Sequence, residues 1–220
     1  MMDNNIDDAD AWYMYPQYRW LFNKLDVAIR LGYQAGPACI PINQSGNYIV
    51  RPIYNLYGMG IGAHKLYIDI SQSNDMKNHA LIPPGYFWCE YFEGNHYSID
   101  YKKIDGVWKP YCTMIGKTNQ KVLTKFHSWI KIENIDIDIP KWVNDINVER
   151  LNIESIGNRI IEIHLRTGNN MMYNFPIGTK IIPIWEGDSD NINIPNDDIN
   201  SRYDASGYLE HVRLGYKIET

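Results

Sequence analysis

Apolar positions recur along most of this chain at every second residue, and at helical spacing in one stretch. In WLFNKLDVAIRLGY, Leu21, Leu25, Ala28, Ile29 and Leu31 or Gly32 lie near helical spacing, with Asn23 at the start and Gly32 as a stop. That spacing predicts a short amphipathic helix over 23–31. Tyr48, Ile49 and Val50 form a β-prone run between Gly46 and Pro52, followed by Gly58, Gly60 and Gly62 at alternate positions. Leu66, Ile68 and Ile70 alternate in a second strand, and residues 71–80 are a polar loop. An apolar aromatic run ends at Cys89, and a strand follows from His96 to Tyr101. The Asp105-Gly106 pair beyond it marks a hairpin, because both residue types tolerate positive φ. KVLTKFHSWIKI reads as either helix or strand, and Pro140, Trp142 and Val143 supply an apolar anchor after it.

The last strong pattern lies between Glu149 and Tyr173. Leu151 and Ile153 alternate with Asn152 and Glu154, Gly157-Asn158 makes a turn, and Arg159 to Leu165 alternates again with Glu162 and His164 on one face. Residues 1–10 read as a polar, frayed tail within an N-terminal segment 1–19. The acidic, Asn-rich stretch 186–220 reads as a loop with one terminal strand or short helix.

Composition narrows the class. With 220 residues, 45% hydrophobic and 21% charged, the chain can bury a sizeable core. A net charge of −5 without any Lys/Arg block argues against nucleic acid as a main partner. No run approaches the roughly 20 apolar residues of a membrane span, so no membrane partner is expected. Cys39, Cys89 and Cys112 are odd in number and widely spaced, which fits neither a disulfide framework nor a zinc knuckle and points to a reducing cytoplasm.

Two stretches carry candidate chemistry. A turn rich in glycine lets backbone N–H groups approach phosphate oxygens, and Arg51 sits just before it; a bulged hairpin uses the same residues. The hairpin face carrying Asn152, Glu162 and His164 looks either into a cleft, where the three converge on a cation with Arg166 beyond them, or into water. Lys24 falls in the first turn of the expected helix, where the helix dipole does not favour a cation. It is therefore either solvated or matched to a ligand or acidic partner.

These segments, taken in order, resemble the ATP-grasp superfamily of nucleotide-dependent ligases. NKLDVAIRLGYQAGP resembles the family's helix with a Lys-Leu start and Gly-x-x-x-Pro exit, and YIVRPIYNLYGMGIGA its strand and flexible glycine loop, with Arg51 for the usual lysine. FWCEYFEGNHYSIDY resembles the adenine hinge, and RIIEIHLRTG the closing Glu-x-Asn-x-Arg metal motif. The resemblance spans about residues 20–175. It implies an α+β fold of two small lobes, each with antiparallel sheet and flanking helices, over 20–185 with a lobe boundary near 85–95. Only 27 positions separate Lys24 from Arg51, so the core is a trimmed one.

By the same resemblance, Arg51 contacts the nucleotide phosphates or the adenine, Gly58, Gly60 and Gly62 let the loop close over the triphosphate, and the backbone of Glu90, Tyr91 and Phe92 reads the adenine edge. His96 stands at the position of the ribose acid, Asn152, Glu162 and His164 at the metal positions, and Arg166 at the catalytic cation. The implied activity joins a small-molecule or peptide carboxylate to an amine through an acylphosphate, with ATP and Mg²⁺. With asparagine at the family's first metal carboxylate and histidine at its metal asparagine, a weaker Mg²⁺ site, a Mn²⁺ preference or no metal is expected. Loss of the metal chemistry with retention of the fold gives the alternative, a non-catalytic nucleotide- or partner-binding protein.

Overall fold

The computed structural model describes residues 6–56, 60, 62–72, 82–119, 122–185 and 213–219. Helix α1 spans Asp8–Met14 and is followed by a 3₁₀ turn, Pro16–Phe22, and by α2, Lys24–Arg30. Four strands come next: β1 Ala35–Pro37, β2 Gly46–Pro52, β3 His64–Ile68 and β4 Tyr86–Glu90. They form one antiparallel sheet in the order β1-β4-β2-β3. The chain passes to the second sheet between Glu90 and His96. That sheet comprises β5 His96–Ile104, β6 Val107–Asn119, β7 Val122–Ile132, β8 Arg150–Ile156, β9 Arg159–His164, β10 Lys180–Trp185 and β11 Arg213–Glu219, ordered β11-β10-β7-β6-β5-β8-β9. The fold is α+β with two antiparallel sheets.

The helix at 24–30 starts and stops for local reasons. Asn23 accepts a hydrogen bond from the Asp26 amide at 3.0 Å, satisfying a donor that has no partner in the first turn, and Gly32 follows the last turn at φ 77°. Its position between the sheets is set by two apolar faces. Val27 is buried in one core with Leu21, Phe22, Ile153 and Ile163, while Ala28 is buried in another with Phe87 and Cys89 of β4. Helix α2 thus touches the packing of both sheets, and its N-terminal end is tied to the segment after β2 by Lys24 N donating to Ile53 O at 2.9 Å.

Two expectations need correcting and two are resolved. Residues 8–14 are not a frayed tail. Asp7 and Asp10 cap each other's backbone amides at 2.9 and 3.1 Å, which starts α1, and Ala11 is fully buried against the large sheet's core. Ile70 lies outside β3, in a 3₁₀ turn over Ile70–Gln72 with its side chain exposed. From Val122 onward the ambiguous stretch is a strand, β7, because Trp129 and its neighbours pair across to β6, and the terminal element is the strand β11. The anchor at Val143 is real: it lies buried in a 3₁₀ turn, Lys141–Asp145, whose Val143 carbonyl accepts from Trp108 Nε1 at 3.2 Å.

Beneath β8, a buried carboxylate organises the segment after β9. Asp100 accepts hydrogen bonds from Asn152 Nδ2, Gly168 N and Asn169 N, each at 2.8 Å, and from the Tyr173 hydroxyl at 2.9 Å. Burial holds the Asp100 carboxyl above its ordinary range, against the downward pull of these four donors. The result is a fixed loop that carries Arg166 and Thr167 along the edge of the cleft.

Candidate functional site

The cleft between the sheets has a volume of about 970 Å³. Register explains which side chains line its floor. In the β8–β9 pair, Asn152 lies opposite His164 and Glu154 opposite Glu162, so these four share one face, while Ile153 and Ile163 lie opposite each other on the other and join the core. Of the two readings of that face, the cleft is the one the fold adopts.

Glu162 is the meeting point of the two lobes. Its Oε1 is 2.6 Å from Lys24 Nζ of α2 and 3.2 Å from Arg51 Nη1 of β2. Arg51 Nη2 also donates to Ile161 O at 2.9 Å, whereas Arg51 Nε is buried without a hydrogen-bond partner. Burial tends to raise the Glu162 carboxyl, but Lys24 above all the other charges holds it below the ordinary range. Lys24 is 8% exposed, so of the two roles open to it from sequence it has the acidic partner.

On the other side of His164 lies Asp8, from the first turn of α1. Its Oδ1 is 3.0 Å from His164 Nδ1 and 2.8 Å from Arg166 Nε, and its Oδ2 accepts from Arg166 Nη2 at 2.9 Å. Burial works against the charged forms of both Asp8 and His164. Their mutual attraction, reinforced for Asp8 by Arg166, outweighs it, so the carboxyl lies well below its usual range and the imidazole above its own. The reciprocal capping pair Asp7/Asp10 was the signal that a helix, and hence an ordered Asp8, begins there.

Glu154 completes the group. It accepts from or pairs with His96 Nε2 at 3.1 Å and lies 3.8 Å from His164 Nε2, which in turn is 3.4 Å from Glu162 Oε2. Burial raises the Glu154 carboxyl, and the hydrogen bond and charge of His96 bring it down to about 2. Ligand atoms of Glu154, Glu162 and His164 all lie within 4.8 Å of one another, and His164 Nε2 is buried with no hydrogen bond. Two carboxylates and an imidazole nitrogen are a donor set for a divalent cation, and these residues fit one. Asn152 lines the same face, but its amide nitrogen is taken up by Ser98 Oγ at 2.9 Å and by Asp100. Glu154 was legible as its neighbour two positions on, by the period of the strand.

Of the remaining expected site residues, Gly60, Tyr91, Phe92 and His96 line the cleft, whereas Gly62 and Glu90 do not. Gly60 lines the cleft and, like Gly62, has positive φ, 63° and 75°; a Cβ on Gly62 would collide with the Tyr86 hydroxyl. Gly58 lies outside the described residues. The Glu90 amide donates to Gln34 O at 2.8 Å and the Tyr91 amide to Asn47 O at 3.1 Å, so these two N–H groups serve the small sheet. Phe92 packs edge-on against Tyr33 with the Arg159 guanidinium over both rings. His96 packs edge-on against Phe126 and Trp129 while facing Glu154. Cys89 is buried and burial pushes its thiol up to about 11, which suits a packing residue rather than a nucleophile. Among the described residues no helix is long and apolar enough to cross a membrane.

Neither the sequence profile of any protein family nor any curated protein sequence matches the chain. Solved structures do. Carboxyaminoimidazole ribonucleotide synthase from Aspergillus clavatus, complexed with ATP, superposes with a TM-score of 0.50 at 10% identity, over 77% of this chain and 58% of that one. N5-carboxyaminoimidazole synthetase from Staphylococcus aureus gives 0.48 at 10% identity over 90% and 66%, and L-amino acid ligase from Bacillus licheniformis 0.46 at 10% over 72% and 44%. The chain therefore spans between 44% and 66% of the length of these three proteins. The likeness establishes the fold that two facing antiparallel sheets and their order already outlined.

Proposed function

On this ATP-grasp fold, we propose that the chain binds ATP in the cleft between its sheets and uses it to join a carboxylate to an amine. The observation that carries the reading is the convergence on Glu162: Lys24 from α2 and Arg51 from β2 reach the same carboxylate oxygen of β9 across the cleft. Cations from one lobe and carboxylates from the other are what a triphosphate with its counter-cation requires. The buried Arg51 Nε adds an N–H donor with no protein partner, suited to a phosphate oxygen. Gly60 lines the cleft and, like Gly62, holds a backbone conformation that favours glycine, so that its backbone amide can approach the phosphates.

The chemistry divides into two displacements. A substrate carboxylate oxygen attacks the γ-phosphorus, the bond to the bridging oxygen breaks, and ADP leaves with that electron pair. The amine nitrogen then attacks the acylphosphate carbonyl, phosphate departs, and the amine loses a proton. Lys24, Arg51 and Arg166 neutralise phosphate charge, and no serine or cysteine nucleophile is needed. A divalent cation held by Glu154, Glu162 and His164 would supply further charge neutralisation at the phosphates.

A second reading has its own support. Glu162 is already engaged by Lys24 and Arg51, and Arg166 by Asp8, so the charged groups satisfy one another without chemistry. A non-catalytic nucleotide-binding protein fits that balance. Thermal-shift measurements with ATP and with Mg²⁺ or Mn²⁺, paired with an assay for ADP release, separate the two. Stabilisation with ADP release that is abolished in Glu162→Gln supports the ligase. Stabilisation without turnover across a panel of amino acids and peptides supports the binding protein, and no response to nucleotide defeats both.

A further inference from the structure

Asp8 enters the cleft from the first turn of α1, an element that neither sheet supplies. It is 2% exposed and its two oxygens hold three donors, Nδ1 of His164 and two guanidinium nitrogens of Arg166. Opposite that contact, His164 Nε2 is buried, makes no hydrogen bond, and faces Glu162 Oε2 at 3.4 Å and Glu154 Oε1 at 3.8 Å.

We propose that Asp8 is a positioning residue that fixes the His164 ring so that Nε2 is offered to a divalent cation between Glu154 and Glu162, making the site select Mn²⁺ over Mg²⁺. The proposal rests on the nucleotide-binding reading above. A carboxylate on one ring nitrogen settles which nitrogen keeps its proton and locks the ring plane, and metal-bound imidazoles are commonly held in this way. In the neutral ring Nδ1 keeps its hydrogen towards Asp8 and Nε2 carries the free lone pair, so Nε2 is the atom left for a metal; a protonated ring gives up its Nε2 proton when the ion binds. Adjacent ligands of an octahedral ion with bonds of about 2.1 Å are separated by about 3 Å. The Nε2 contacts to the two carboxylates lie slightly beyond that, so a small inward movement closes the set. Imidazole is a better ligand for manganese than for magnesium, which prefers oxygen and gives up water reluctantly.

Charge indicates when the ion binds. Asp8, Glu154 and Glu162 are matched by Lys24, Arg51 and Arg166, and a protonated His164 adds a further positive charge, so an added dication alone meets no net attraction. A triphosphate supplies it, and draws Lys24 and Arg51 away from Glu162.

The test uses the full chain with a non-hydrolysable ATP analogue, titrated with Mn²⁺ or Mg²⁺ and followed by Mn²⁺ electron paramagnetic resonance and by calorimetry. The expected result is Mn²⁺ binding at least about tenfold tighter than Mg²⁺, with the Mn²⁺ affinity reduced about 10- to 100-fold and the preference diminished in Asp8→Asn, the range for loss of a ligand's supporting hydrogen bond. Paramagnetic broadening of the His164 ring ¹⁵N signals by Mn²⁺ places the ion at the ring, and its reduction in a folded Asp8→Asn is the signature that a merely structural role for Asp8 does not produce. Should Asp8→Asn fail to fold, the wild-type protein still decides the matter, because His164 signals left sharp by bound Mn²⁺ overturn the proposal. Equal Mn²⁺ and Mg²⁺ affinities in the wild type, or an unchanged preference in a folded Asp8→Asn, overturn it too. Binding of the analogue in the absence of metal is measured first, so that failure of the nucleotide reading is recognised separately.

Discussion

Arg51 shows how one side chain serves two lobes. Its guanidinium lies over the Phe87 ring at 5.3 Å, reaches Glu162 and the Ile161 carbonyl, and keeps Nε without a partner. Arg51→Ala is expected to weaken ATP affinity about 10- to 100-fold, in keeping with roughly 1.5–3 kcal/mol for a hydrogen bond to a charged group; unchanged affinity by calorimetry would remove Arg51 from the site. Glu154 gives a pH prediction. Its carboxyl ordinarily titrates near 4.5 and is lowered to about 2 in the fold, so the stability it contributes is complete above 4.5 and is lost as pH falls through about 2. Urea midpoints measured across that window should fall less steeply in Glu154→Gln than in the wild type. Gly168 is limited by contact, since a Cβ there would stand 2.8 Å from Asn152 Nδ2, which Ser98 and Asp100 hold in place. Gly168→Ala should cost about 1–3 kcal/mol in chemical denaturation, as overpacking generally does.

Among the elements, α1 is the one whose role changed most between sequence and fold. Seven residues are too few for a helix to persist alone in water. It is held by the Asp7/Asp10 caps, by Ala11 in the core, by Trp12 packed edge-on against Phe22 and by Asp8 in the cleft. Strand elements were easier to read, because alternation survives in β2, β5, β8 and β9 despite their different partners. The β5–β6 hairpin shows why. Asp105 turns at φ 50°, a conformation that Asp tolerates and β-branched residues do not, so the Asp-Gly pair fixes the turn locally. Asp105→Val is expected to lower stability by about 1–2 kcal/mol while leaving nucleotide affinity untouched; a change in affinity would connect this hairpin to the cleft.

For the molecule as a whole, α2 and the Glu162 cluster join the sheets. Val27 and Ala28 commit the helix to two cores, and the ion pairs span from α2 and β2 to β9. Removing the shared carboxylate leaves Lys24 and Arg51 buried with one partner fewer. Glu162→Gln should therefore destabilise the protein by about 3 kcal/mol, the lower end for breaking a buried pair, and should lower the apparent m-value of unfolding as the lobes lose their coupling. An unchanged midpoint and slope would mean that apolar packing around α2 is sufficient to hold them together.

Local rules acting on the sequence decided the strands with clear period-2 patterning, the helix opened by Asn23 and closed before Gly32, and the Asp-Gly turn, because each is governed by neighbours a few residues away. The same rules put Glu162 and His164 on one strand face, and the order of the glycine loop, hinge and final motif indicated the fold. What local rules could not decide was partnership across distance. Lys24 and Glu162 are 138 positions apart, and Asp8 and His164 are 156. Such pairs form only once both sheets have fixed the directions of their side chains, since the free energy that buries a charge depends on the counter-charge delivered by the rest of the fold.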